Sequence, residues 1–528
     1  MRRFRHDGFS ARMGQGAPDL IAHDGIFTDG DWVESKDQDP NGSVRLIQLA
    51  DIADSHFVNK SSRFLTREKA DELNCTFLKK GDLLVARMPD PLGRCCIFPL
   101  DGEERFVTVV DVCAIRLGSA AIEPRYLMRA INSPEVRGKI SALQSGSTRK
   151  RISRGNLATV PIPIPPLNEQ RRIVEKIEAM FDEIDKGVES LQTARTTLGL
   201  YRQSLLKSAF EGRLTADWRA QNADKLEAPE TLLARIQAER DARYKAALDA
   251  WQDALAQWRA DGEKGKKPAK PKRPRDFIGS AKIPSGVTVP VPAEWLIPAM
   301  SDLGQTTGGL TKNQKRNAFP LKAKYLRVAN VYSNRLELDE IMEIGVTEEE
   351  LLKTSLVTGD LLFVEGNGSI EQIGRVAIWD GSIPNMTHQN HLIRFSADGI
   401  LSSRFALYFM MSPVGRKLIE AQASSTSGLH TLSISKIEGL PVPVCSPHEQ
   451  TEIVRILDEK LEAADALDAE IDAALTRADA LRQSILKKAF AGHLVPQNPN
   501  DEPAANLLDR IKADRAKATT TKRRRVSA

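Results

Sequence analysis

A chain of 528 residues with 41% hydrophobic residues is too long for one core and predicts two or more folded domains. Its net charge of +5 permits a polyanionic partner without demanding one, because the placement of charge outweighs its sum. Five cysteines (Cys75, Cys95, Cys96, Cys113 and Cys445), odd in number and without a CxxC pair, argue against a disulfide framework or a zinc site. The stretch MRRFRHDGFSARMG lacks a signal-peptide core, and no run approaches the roughly 20 apolar residues of a membrane span, so a soluble cytoplasmic protein is expected.

In chain order, the runs SVRLIQL, DLLVAR, CCIF and RFVTVVDVCAIRL, bounded by Gly, Asp, Asn and Pro, predict a mixed α/β unit over about 23–160. PRYLMRAINSPEVRGKI within it predicts a helix interrupted near Pro134. PIPIPPLNEQ then opens a long amphipathic helix with Asn168 as its expected cap, and Ile173, Ile177, Ile184, Leu191, Leu198 and Leu205 form an apolar seam. A further helix begins at Pro229, in which Trp251 and Trp258 read as a packing seam. KGKKPAKPKRPR from Lys264 reads as an extended linker, with auxiliary phosphate contact as the functional alternative. Residues 295–440 repeat the α/β flavour with KYLRVANVY, DLLFVE, GRVAIW and HLIRF. Ser446, Pro447 and Glu449 predict a capping box at a second long helix, whose seam is Ile453, Leu457, Leu467, Ile471, Leu481 and Ile485. KATTTKRRRVSA at the end reads as a disordered basic tail.

The chain is written twice. PIPIPPLNEQRRIV from Pro161 returns as PVPVCSPHEQTEIV from Pro441, and YRQSLLKSAFEGRL from Tyr201 returns as LRQSILKKAFAGHL from Leu481, both 280 residues on; the second pair shares nine identities in fourteen. GDLLVAR and GDLLFVE recur in the same order, so one module is duplicated. The expected fold is α+β and multidomain: two similar mixed α/β globular domains alternating with two long helices that pair as an antiparallel coiled coil, an internal pseudo-two-fold repeat. The seams could instead dock each helix on its own globular domain, but a helix of roughly 63 Å outruns a small domain.

Signatures of catalysis are missing. There is no GxxxxGK[ST] loop, no GxGxxG after a strand, no HExxH, no GxSxG and no [ND]PP[YF]. His388 and His391 lie close together without an evident third ligand. What stands out is polar and basic. SGSTRKRISRGNL carries Arg149, Lys150, Arg151 and Arg154, and the matching loop SSTSGLHTLSISKIEGL carries His430 and Lys436. Arg87, Asn367, Gln372, His388, Gln389 and Asn390 fall in neighbouring turns. Such side chains serve phosphate and base contact, although ordinary turn chemistry accounts for any single one equally well. Two diverged heads related by a two-fold axis suit a duplex, and the two half-sites would then differ.

The doubled P(I/V)P(I/V)…EQ openings at Pro161–Gln170 and Pro441–Gln450, with the doubled RQS(L/I)LK.AF.G.L ends at Arg202–Leu214 and Arg482–Leu494, resemble the specificity (S) subunit of type I restriction–modification systems over essentially the whole chain. The resemblance implies a division into target-recognition domains at 1–166 and 293–446, helical regions at 167–260 and 447–518, a basic linker at 261–292 and a tail at 519–528. It implies that each recognition domain reads one half of a split, asymmetric double-stranded DNA site. The helices would set the spacer and dock methyltransferase (M) subunits, and restriction/translocase (R) subunits would join. S-adenosylmethionine, ATP and magnesium would belong to those partners, with none on this non-catalytic chain. The basic insertion at 260–292 departs from the plainest family pattern. Two rivals are a coiled-coil protein scaffold without DNA specificity, and a self-sufficient DNA methyltransferase, which would need its own cofactor pocket.

Overall fold

The duplicated strand runs fold, in the computed structural model, into two heads of one topology; the residues described are 17–89, 91–102, 104–146, 150–274, 279–426, 429–513 and 516. Arg149 and the basic tail from 517 onward lie outside them. The chain forms two compact units, Met1–Thr193 with Ile471–Ala528, and Ala194–Glu470. These cut across the linear segments, because the division falls inside both long helices.

In the first unit, strands β1 (Ile26–Asp29), β2 (Val44–Ile47), β3 (Arg63–Leu65), β4 (Leu83–Ala86), β5 (Cys95–Ile97), β6 (Phe106–Thr108) and β7 (Val112–Arg116) make two sheets, β1-β7-β4-β5 and β3-β2-β6, the latter with β2 and β6 parallel. Strand β4 is buried on both faces. Leu83 and Val85 enter the core that takes the long helices, while Leu84 and Ala86 enter a smaller core on the other side, as the two-residue period of a strand requires. The free cysteines Cys95, Cys96 and Cys113 are part of this packing.

The second unit repeats the plan with β8 (Gly304–Gly308), β9 (Leu321–Leu326), β10 (Val331–Tyr332), β11 (Arg335–Leu336), β12 (Met342–Val346), β13 (Leu361–Val364), β14 (Gly366–Asn367), β15 (Val376–Ile378), β16 (Thr387–His388), β17 (Leu392–Ala397), β18 (Ser424–Thr426) and β19 (Leu429–Thr431). Its sheets β15-β13-β17-β8 and β12-β9-β16 match the first head strand for strand. Leu361 and Phe363 face one core, Leu362 and Val364 the other.

The doubled sequence phrases turn out to be scaffold. In both GDLL copies the glycine sits at positive φ (94° at Gly81, 96° at Gly359), and the buried aspartate turns back to accept the backbone N–H of Lys79 or Val357. Asp82 also takes a bidentate grip from Arg116 at 2.6 and 2.7 Å. The prolines at 134 and 413 begin new helices (Pro134–Ala142 and Pro413–Gln422) capped by Ser133 and Ser412.

The long helices run from Leu167 to Phe210 and from Pro447 to Phe490, 44 residues each. Each starts with the same clamp. Gln170 accepts the Glu123 N–H and donates to the Pro165 carbonyl; Gln450 accepts the Ser402 N–H and donates to the carbonyls of Cys445 and Ile400. Each ends on Ala-Phe-x-Gly, with Gly212 (φ 70°) and Gly492 (φ 76°) in the left-handed conformation that closes a helix. The phenylalanine is an anchor: Phe490 meets the Tyr126 ring at 5.4 Å in the first unit, and Phe210 meets Phe405 and Phe409 at 5.1 and 5.2 Å in the second. Each unit therefore holds the start of one long helix and the end of the other, lying antiparallel. Asp185–Arg482 bridges them in the first unit, Arg195–Asp468 (2.9 Å) and Arg202–Asp465 (2.7 Å) in the second, while Arg172 pairs with Asp501 beyond the end of the second helix.

Three expectations at these helices are corrected. Asn168 is not the cap, because the helix begins at Leu167 and the Gln170 N–H already bonds the Pro166 carbonyl. Ser446 does cap the Glu449 N–H at 3.3 Å, but the Glu449 carboxylate points to other partners, described below, so half of the capping box is missing. Leu467 and Leu481 leave the seam at 52% and 50% exposure. The inward stripe there passes through Ala464, Asp468 and Ile471, and through Arg482 and Ile485, so ion-paired side chains hold the positions expected for leucines. The other seam residues are buried (Ile173, Ile177, Leu205, Ile453, Leu457, Ile471, Ile485) or half-buried (Ile184, Leu191, Leu198). Among the described residues no helix is long and apolar enough to cross a membrane.

Candidate nucleic-acid interface

In each head the loop leading to the long helix closes on the edge of the central strand. The Ile152 N–H bonds the Arg87 carbonyl at 3.0 Å, and in the other head the Leu432 N–H bonds the Glu365 carbonyl at 2.7 Å. Ser153 and Ser433 then cap equivalent short helices, Arg154–Ala158 and Ile434–Glu438. On this shared backbone the side chains diverge.

The first head gathers cations. Arg87 pairs with Asp29 at 3.0 Å and donates to the Val110 carbonyl, and Arg154 stands 3.9 Å from the same carboxylate. Ser145 and Arg151 exchange both backbone bonds at 2.8 Å, closing the loop that presents Lys150 and Arg151 to solvent. Trp32, three residues beyond Asp29, is 68% exposed, with its indole N–H on Glu34. Arg87 is corrected from a reading residue to a positioning one, because its guanidinium is mostly covered and spent on Asp29 and Val110.

The second head answers with a mixed rim. The short loop becomes the hairpin β18–β19, and β14 adds a third strand that sets Asn367 opposite His430. The Asn367 side chain accepts the Ser369 N–H at 2.9 Å, an Asx turn, while Gln372 is exposed just beyond. The Lys436 ammonium lies 3.4 Å from the Thr431 carbonyl on the same sheet. Glu365, in the place of Arg87, pairs with the exposed His391 at 2.9 Å. Gln389 and Asn390, half-buried, are fixed through their N–H groups to the carbonyls of Leu326 and Leu310. His388 is corrected outright: it is fully buried with Nδ1 3.3 Å from the Thr354 carbonyl, and burial pushes its pKa down to about 4, so it packs as a neutral ring.

Sequence reading missed a stack beside Asn367. Tyr332, 39% exposed, has the guanidinium groups of Arg335 and Arg375 at 5.0 and 5.2 Å from its ring. Arg375 accepts the Val364 N–H, which places it two strand positions from β14. The visible signal was YSNR, a tight hairpin that puts Tyr332 and Arg335 directly across from each other at a positive-φ Asn334. Cationic, amide and aromatic side chains on a polar rim bind phosphate and base edges.

Two heads of one topology, each carrying its own polar rim, define a duplicated nucleic-acid recognition protein. The sequence matches the family of the type I restriction modification DNA specificity domain over residues 26–191 and 292–477, one match per repeat. The chain belongs to that family, and its role is recognition of DNA sequence within a type I restriction–modification system. It is 26% identical over 417 residues to the EcoKI specificity subunit of Escherichia coli strain K12, covering 76% of this chain and 74% of that one. It is 26% identical over 404 residues to the StySPI specificity subunit of Salmonella potsdam, covering 75% and 72%. A chain solved in a study of complex assembly and conformational transition of the type I system shares the fold at a TM-score of 0.56 and 15% identity, over 90% of this chain and 99% of that one.

Proposed function

We propose that each head reads one half of a split, asymmetric double-stranded DNA site, the first through Lys150, Arg151 and Arg154, the second through Asn367, Gln372, Gln389, Asn390, His430 and Lys436 with the Tyr332 stack. The supporting observation is the pairing of an unchanged backbone with changed side chains: Arg154 against Ile434 at the rim, and Arg87 against Glu365 behind it. A duplicated reader of a symmetric site would keep its reading side chains alike. The helices set the spacer and dock M subunits, and R subunits join for restriction. The chemistry then lies on those subunits, along with S-adenosylmethionine, ATP and magnesium, and the assembly works in the cytoplasm on host and invading DNA.

The test exchanges residues 1–166 for those of a relative and maps methylated adenines across the host genome. One half-site changes while the other half and the gap persist. A change in both halves, or in neither, overturns the proposal; the protein-scaffold alternative corresponds to the latter.

A further inference from the structure

The insertion between the repeats is not a loose linker. Its helix, Pro229–Ala260, is seated on the second head at one end only: Leu232 and Ile236 are fully buried in that core, Arg240 pairs with Asp302 at 3.1 Å and Arg243 with Asp398 at 2.9 Å. From Tyr244 onward the apolar side of this helix meets the returning chain. The Trp251 indole N–H bonds the Pro268 carbonyl at 3.1 Å, Leu255 is buried, and Lys267 and Lys270 stand 5.9 and 5.7 Å over the rings of Trp258 and Trp251. Helix and strap form an arm.

The strap's sequence has a period. Pro268, Pro271 and Pro274 recur every third residue, the repeat of a polyproline II helix. That turns one face, with Pro268 and Pro271 half-buried, toward the tryptophans. Cations crowd the strap: Lys267 and Lys270 reach over the tryptophan rings, Lys266, Lys272 and Arg273 stand beside them, and Lys264 precedes Gly265, whose φ of 85° ends the extended repeat. All six are exposed, and among the described residues none has a carboxylate within ion-pair distance, although Asp249 and Asp253 lie on the same arm. Proline fixes φ, so the row of charges is held extended at little entropic cost. A column of cations at roughly 9 Å intervals, about three residues of 3.1 Å rise, fits a dense linear polyanion and nothing base-specific.

We propose that this arm grips duplex DNA by its phosphates, outside the recognised sequence and without regard to it. The choice of duplex as the polyanion rests on the chain's role in DNA recognition, but the half-site assignments do not bear on it. The experiment replaces the six cations together (K264Q, K266Q, K267Q, K270Q, K272Q, R273Q) in the full chain assembled with its system's other subunits. Binding to a duplex with the recognised sequence, and to one without it, is measured from 50 to 300 mM KCl. Each lost phosphate contact lowers the slope of log K against log salt by about 0.9, so the variant's slope falls by about 3 to 5 on both duplexes alike. The preference between the duplexes and the methylated sites stay as they were. An unchanged slope in the assembled complex overturns the arm, and so does loss of assembly in the variant, which would mark an acidic protein surface as the occupant. The half-site reading is judged apart, by the exchange of residues 1–166, which leaves the arm's contribution to the slope in place.

Discussion

Glu169 and Glu449 hold the same place in the two repeats, one step before the clamping glutamine, and they live in opposite surroundings. Glu449 is 1% exposed and fully engaged: Thr215 and Arg219 donate to one oxygen at 2.8 and 2.6 Å, and the Trp295 indole N–H to the other at 3.1 Å. Glu169 is 5% exposed with no such cage; its neighbours are Arg172 and Asp501, which bind each other at 2.6 Å. The cage is built from residues just after the first helix end and from Trp295, a stretch for which the first unit has Val495 and Pro499 instead. Duplication copied the glutamate but not its partners, and the same holds where Arg87 and Glu365 accept equivalent backbone bonds, from Ile152 and Leu432, and oppose each other in charge. Scaffold and surface have separate histories in this molecule.

The sharpest break of the comparison is Glu449→Ala. It strands a mostly covered guanidinium and two buried donors, so we expect a loss of about 3–5 kcal/mol in urea unfolding of the full chain. Arg219→Met in the same background should return a large part of it, because an apolar pair replaces an orphaned charge. A loss below 1 kcal/mol would show the cage to be ornamental.

Next come the seam leucines. Leu457→Ala empties a fully buried position and should cost about 2–5 kcal/mol, whereas Leu467→Ala, at a half-exposed one, should stay within about 0.5 kcal/mol. Equal costs would restore the seam as the sequence alone drew it. At the rims, Arg87→Ala should cost about 1–2 kcal/mol through Asp29 and Val110, and Glu365→Ala less than 1, its His391 partner being exposed. Lys150→Ala should leave the unfolding curve in place, lower the salt slope of DNA binding by about 0.9 and weaken binding without changing which half-site sequence is preferred.

These contrasts show how much was legible in the sequence and why the rest was not. Periodicity and duplication sufficed for the heads, the helices and their antiparallel pairing, because apolar spacing and repeat offset are local properties. Leu467 and Leu481 misled because Asp468 and Arg482 take the seam through Arg195 and Asp185, partners 273 and 297 residues away that no window reveals. Asn168 misled because the proline ahead of it tolerates the first helical turn. His388 and Arg87 read as surface groups, since turn-rich strings do not disclose burial. The strap read as a linker because its lysines hide the fact that every third residue is a proline aimed at two tryptophans.

The smallest effect belongs to Glu169. Burial raises the Glu169 pKa above the ordinary 4.5, against the pull of Arg172 and with Asp501 adding to the rise. Between the ordinary and the raised value the native chain keeps a proton that the unfolded chain has released, so stability falls as pH climbs through that window and the loss persists above it. Glu169→Gln lacks the titration. Its stability relative to the parent should therefore improve from pH 4 to neutrality and then level off, read from thermal unfolding at a series of pH values. Glu449→Gln should lie below the parent throughout the neutral range, since its carboxylate already has its partners. A Glu169→Gln curve parallel to the parent's at every pH would mean that this carboxyl is as well solvated as a surface one, and the asymmetry between the repeats would then rest on Glu449 alone.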